Sequence, residues 1–238
     1  MTPLTPSERI FVALDTAEIE PAVSLAGDLS GLVGGVKLGK EFFTAQGPEG
    51  VKRVAPAGLA LFLDLKFHDI PNTVAGAVRS ALSLKPMMLT VHASGGQEMM
   101  RAAAGAAAKA ATERPLVLGV TVLTSLDGED LESLGQKGPL NEQVLRLARL
   151  AEASGLDGVV CSPLEVGMLR QSLGEEFKLV VPAIRPATAD PGDQKRTMTP
   201  AEAIIAGADY LVIGRPITGS PDPARAARHI AGEIAGLV

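Results

Sequence analysis

The sequence predicts an α/β protein built as one closed (β/α)8 barrel, the TIM-barrel architecture. Three observations predict it. Short apolar runs alternate with longer helix-forming stretches, eight such runs occur, and 238 residues is an ordinary size for a single barrel of this kind. Strands that read as nearly continuous apolar runs are those of a parallel sheet covered by helices on its outer face. An open doubly wound sheet is the alternative. The segment after the first run, "ALDTAEIE", lacks the G-x-G-x-x-G fingerprint that would favour it.

In order, the candidate strands are "IFVALD" (10–15), "GGVKLG" (34–39), "LALFLDLK" (59–66) and "MMLTVHA" (87–93). Then come "PLVLGVTVL" (115–123), "GVVC" (158–161), "KLVVPAI" (178–184) and "YLVIG" (210–214). Between them lie helical compositions such as "NEQVLRLARLAEASG" (141–155) and "PAEAIIAGA" (200–208). Gly155 and Gly207 sit where a helix commonly ends. The alanine-rich "AAAGAAAKAA" near residue 105 reads as a helix, because alanine is the best helix former. No Gly/Ser or Pro tract divides the chain, so residues 1–238 are expected to form one domain.

Composition excludes several functions. A net charge of −5 argues against a general nucleic-acid binder, which normally carries a basic face. No apolar run approaches the roughly 18 residues that span a bilayer, and "MTPLTPSER" lacks a signal pattern. The single cysteine, Cys161, allows no internal disulfide and fits a reducing cytoplasm.

Active sites of such barrels lie at the C-terminal ends of the strands. Polar residues gather at those ends here: Asp15, Lys37, Asp64 with Lys66, His92, Thr124 with Ser125, Arg185, and Gly214 with Arg215. Strand side chains alternate, so Asp64 and Lys66 share a face and point to the barrel mouth, with Leu65 turned to the helices. Each residue also has a plainer reading. Asp69 could be only the N-cap of the next helix, with Pro71 in its first turn. Lys66 could be a structural partner of Asp64, and His92 a hydrogen-bonded structural histidine. His68 reads as a loop residue, His229 as solvated and Cys161 as a core thiol. Two lysines and two acids converging on one mouth are harder to explain as caps.

The loops after strands seven and eight of such barrels often bind phosphate. "VIGRPI" offers backbone N–H groups near Gly214 and the guanidinium of Arg215. "RPATADPGDQKRTMTP" (185–200) is long for a loop in a compact domain. With Gly192, Gln194, Arg185 and Arg196 it has the parts of a lid that folds over a phosphate. A surface loop is the plainer reading.

Taken together these segments resemble the orotidine 5′-phosphate decarboxylase family. The resemblance rests on "FVALD", "VKLGKEFF", "DLKFHDIPNT", "VHASGG", "TVLTS", "GDQKRTMTP" and "DYLVIGRPIT", in that order, and covers about Ile10 to Pro223. One departure is "PAIRP", where the family pattern leads one to expect glycine in place of Ala183. The resemblance implies a (β/α)8 homodimer with shared active sites that makes UMP from orotidine 5′-monophosphate without metal or organic cofactor. It implies a catalytic tetrad of Lys37, Asp64, Lys66 and Asp69, with Asp69 and Thr73 supplied by the partner subunit. Asp15 and Lys37 would touch the ribose, and Thr124 and Ser125 would lie near the pyrimidine. Gln194, Gly214 and Arg215 would grip the phosphate, with Arg185 beside them. The nearest rival is a sugar-phosphate decarboxylase or synthase that holds Mg²⁺ on its acids. A non-catalytic phosphate-binding barrel is the other.

Overall fold

The computed structural model describes residues 4–54, 58–110, 113–136, 138–186 and 197–236. Eight parallel strands close in sequence order into a barrel, β1 pairing with both β2 and β8. They are β1 Ile10–Ala13, β2 Gly35–Gly39, β3 Ala60–Phe67, β4 Met88–His92, β5 Leu116–Val120, β6 Gly158–Val160, β7 Lys178–Val181 and β8 Tyr210–Ile213. Each falls on an apolar run of the sequence. The helices are α1 Ile19–Asp28, α2 Lys40–Val54, α3 Pro71–Ala81, α4 Gln97–Ala107, α5 Gly128–Ser133, α6 Leu140–Ala153, α7 Val166–Leu173, α8 Pro200–Ala206, α9 Arg215–Thr218 and α10 Pro223–Ala235. The alanine-rich helix α4 stops at Ala107, so Lys109 lies beyond its end. Gly155 and Gly207 both adopt positive φ just past α6 and α8, as the helix-end reading requires.

Alternation along the strands divides the core in two. One set, including Ile10, Val12, Leu38, Leu63, Leu89 and Val91, packs under the helices. The other fills the barrel: Phe11, Ala13, Phe62, Met88, Leu118, Val180, Tyr210 and Val212. Phe11 meets Phe62 and Tyr210 edge-on, at 6.2 and 5.6 Å between ring centroids, a geometry favoured by the ring quadrupoles. Gly35 makes room for this plug, since a Cβ there would stand 2.3 Å from the Phe11 ring. The aromatic layer is a floor, and polar groups stand above it at the strand ends.

Charges at the opposite end of the barrel serve the ladder itself. Asp157 accepts the Val117 N–H at 2.8 Å and pairs with Arg114. Asp209 accepts the Leu179 N–H at 2.8 Å and pairs with Arg170. No helix among the described residues is long and apolar enough to cross a membrane.

Candidate active site

Strand β2 brings Lys37 to the C-terminal end of the barrel, where it is 8% exposed. Its Nζ donates to Asp15 Oδ1 at 3.0 Å and lies 3.8 Å from Asp64 Oδ2. The space for this pair comes from Gly39, where a Cβ would stand 3.1 Å from Lys37 Nζ and 3.6 Å from Asp15 Oδ1. Gly39 also pairs in register with Asp64 of β3. Asp64 is buried and accepts from Lys66 Nζ at 2.7 Å. Burial pushes its carboxyl upward, but Lys37, Lys66 and hydrogen bonds from Lys66 and Thr90 overcome this and hold it below the usual range. Asp64 is therefore an anion at neutral pH, flanked by two ammonium groups.

Asp64 and Lys66 do converge, though not by regular alternation. Leu63 of β3 pairs with Leu89 of β4, and Phe67 pairs with Val91, so Asp64, Leu65 and Lys66 face Thr90 alone. Such a bulge re-aims side chains. Lys66 takes φ +52°, the left-handed region, at a cost of roughly 1–2 kcal/mol for a residue with a Cβ. Thr90, a member of this site that the sequence reading passed over, accepts the Lys66 N–H at 2.9 Å and donates to Asp64 Oδ1 at 2.9 Å.

Beside the charged trio opens a cavity of about 170 Å³. Lys37, Asp64 and Lys66 form one wall. Phe62 and Val212 belong to its floor, and Val120, Val122, Val160 and Pro182 make the rest largely apolar. Cys161 is on this lining and also in the core. Burial pushes its thiol well above the ordinary range, so it is an uncharged wall group. Thr124 lines the cavity, whereas Ser125 is exposed and outside the lining.

The remaining candidates fall in three places. Gly214 caps the short helix α9, which Arg215 opens at the end of β8. Arg185 follows β7, where its N–H donates to Met198 O at 3.0 Å. A bridge between Ile184 and Met198 closes the base of the 185–200 loop. Gln194, like Gly192 and Arg196, lies outside the described residues. Ala183 adopts φ +61°, which explains why glycine suits that position. Asp69 and Thr73 lie on the exposed turn and first helical turn after β3. The N-cap of α3 is Ile70, not Asp69, and Pro71 opens the helix. Asp69 Oδ1 accepts the Ile70 N–H at 2.6 Å, and its carboxylate forms no ion pair among the described residues.

His92 packs against His68, with ring centroids 5.3 Å apart. His229 is solvated, 3.3 Å from Glu233. Burial, then the neighbouring His68, Lys40 and Lys66, lower the His92 pKa from 6.5 to about 4, with Asp64 opposing. The folded state thus prefers the neutral ring. Its contribution is complete above pH 6.5 and is lost as pH falls towards 4, where the unfolded chain binds the extra proton. Allowing for solvent screening of a half-buried ring, this loss is about 1–2 kcal/mol. Urea unfolding at pH 7 and pH 4.5 should show His92→Asn losing less stability on acidification than the parent. Equal losses would remove His92 as the cause.

The site is thus that of a barrel enzyme with a preorganised charge cluster against an apolar cavity. Comparison with known proteins gives the family. Residues 8–230 match the model described as "Orotidine 5'-phosphate decarboxylase / HUMPS family". The chain is 56% identical to the orotidine 5′-phosphate decarboxylase of Rhodospirillum rubrum, over 95% of this chain and 94% of that one. It is 53% identical to that of Moorella thermoacetica, over 95% and 92%. A crystal structure of orotidine 5′-phosphate decarboxylase from Lactobacillus acidophilus superposes with a TM-score of 0.83 at 38% identity, covering 94% of this chain and 98% of that one. The chain belongs to the orotidine 5′-phosphate decarboxylase / HUMPS family, and it is an enzyme of the carboxy-lyase class.

Proposed function

We propose that the enzyme converts orotidine 5′-monophosphate to UMP and CO2 in de novo pyrimidine biosynthesis, with the whole chain, 1–238, acting as one catalytic domain. The observation that carries this reading is the Lys37–Asp64–Lys66 cluster on the wall of an apolar cavity. When the C6–carboxylate bond breaks, its electron pair stays on C6, in the ring plane, where the π system cannot delocalise it well. A fixed ammonium beside C6 opposes that charge and then supplies the proton that makes the C6–H bond. Lys66 takes this role and regains its proton from solvent. Apolar walls strengthen the interaction by excluding water. No step calls for a metal or an organic cofactor.

The other groups bind and orient. Asp15 and Lys37 hold the ribose, Thr124 and Ser125 the pyrimidine, and Gln194, Gly214 and Arg215 the phosphate, with Arg185 beside them. Phosphate binding is remote from C6, so its energy can drive loop closure over the site. Asp69 and Thr73 complete the site of the partner in a homodimer. Exposed Ile70, 67% accessible, next to the exposed Asp69 supports this placement. A cytoplasmic location fits the single buried thiol.

The Mg²⁺-dependent rival is disfavoured by charge. A divalent cation on Asp64 would meet ammonium groups 2.7 and 3.8 Å from the same carboxylate oxygen. The test is the loss of the orotate absorbance, with UMP as product, by protein dialysed against EDTA. Undiminished conversion is expected. Conversion that requires restored Mg²⁺ would favour the rival, and no conversion at all would leave a binding module.

A further inference from the structure

We infer that Thr90 is a positioning residue for the reaction, acting through Asp64 and Lys66. The inference rests on the catalytic reading of those two residues. Three residues of β3 face Thr90 alone across the β3–β4 bulge, and such a mismatch deprives the backbone of regular ladder partners. A hydroxyl can donate once and accept twice. Thr90 Oγ1 uses both capacities, accepting the Lys66 N–H and donating to Asp64 Oδ1. The other oxygen of Asp64 then receives Lys66 Nζ, and Lys37 Nζ stands 3.8 Å away.

The result is a closed circuit from the Lys66 backbone through Thr90 and Asp64 to the Lys66 side chain. Lys66 has both ends fixed by it, although its φ lies in a region that residues with a Cβ rarely adopt. Thr90 is 0% exposed, so bulk water cannot take over its two hydrogen bonds. It is also absent from the cavity lining, so it reaches a substrate only through its neighbours. Its place in the barrel supports this. Met88, two residues earlier on the same strand, points into the barrel interior, so alternation turns Thr90 to the same side as Asp64.

Thr90→Val keeps the shape and removes the hydroxyl, and Thr90→Ser keeps the hydroxyl. Both are assayed with orotidine 5′-monophosphate, and UMP binding is measured by calorimetry. Thr90→Val should lower kcat about 10²-fold, the order that a misplaced reacting group costs, with KM and the UMP Kd nearly unchanged. Its kcat profile should lose activity at higher pH on the acid side, because Asp64 loses a hydrogen bond that favours its ionised form. Thr90→Ser should recover most of the rate. A Thr90→Val enzyme with the parent's kcat and acid limb would overturn the inference. So would equal loss in both variants, or a UMP Kd that weakens in step with kcat, since either would indicate packing rather than the hydroxyl. Inactivity of the parent would instead overturn the decarboxylase reading itself.

Discussion

Replacing Lys66 with alanine is expected to lower kcat by about 10⁴-fold or more, while UMP binding changes little. The size follows from two losses at once. A positioned general acid contributes about 10²–10⁴-fold. A preorganised group facing developing charge contributes about 10²–10³-fold. On the proposed reading the Lys66 ammonium, 2.7 Å from Asp64 and on the cavity wall, does both. The phosphate grip is assigned to the ends of β7 and β8, away from this wall, so ground-state binding should survive. Steady-state kinetics and UMP titration check this. A variant within tenfold of the parent's kcat would remove Lys66 from the role.

The second large effect concerns Asp69. Asp69→Ala should cost roughly 10²-fold in kcat, the order for removing one fixed charge from a preorganised site. Each of Lys66→Ala and Asp69→Ala should therefore be nearly inactive alone. In a two-fold dimer each subunit gives what it receives. If Asp69 acts across the interface, each mixed dimer holds one site with both lesions and one with neither. Random exchange makes about half of the dimers mixed, so roughly a quarter of all sites should regain full activity. The exposed turn that carries Asp69 and Ile70 is suited to such an interface. If Asp69 acts within its own chain, every site keeps a lesion and exchange, confirmed by mass, restores nothing.

The strands were legible because barrel strands are buried on both faces and read as unbroken apolar runs. Their ends were less so. The run 115–123 continues past the last paired residue, Val120, because Val122 is buried in the core without belonging to the ladder. The charged trio was legible from position at strand ends, yet its route was not. Asp64 and Lys66 meet through a bulge and a left-handed residue, a feature that depends on the register of β3 against β4. Thr90 was missed for the same reason. A threonine within "MMLTVHA" looks like an ordinary strand residue until its partner strand is known. The capping alternative for Asp69 failed by one position, since Ile70 holds the N-cap. Ala183 shows the converse. A one-methyl departure in "PAIRP" marked a backbone position at φ +61°, visible only as an odd residue in the sequence.

The central claim is that this site stabilises charge on C6 with the Lys66 ammonium. By microscopic reversibility, a site that protonates the C6 carbanion must also remove the C6 proton of UMP. UMP incubated with the enzyme in D2O should therefore exchange its C6 hydrogen for deuterium, followed by proton NMR, and Lys66→Ala should abolish the exchange. No exchange by the parent, or exchange at the same rate in Lys66→Ala, would contradict the account.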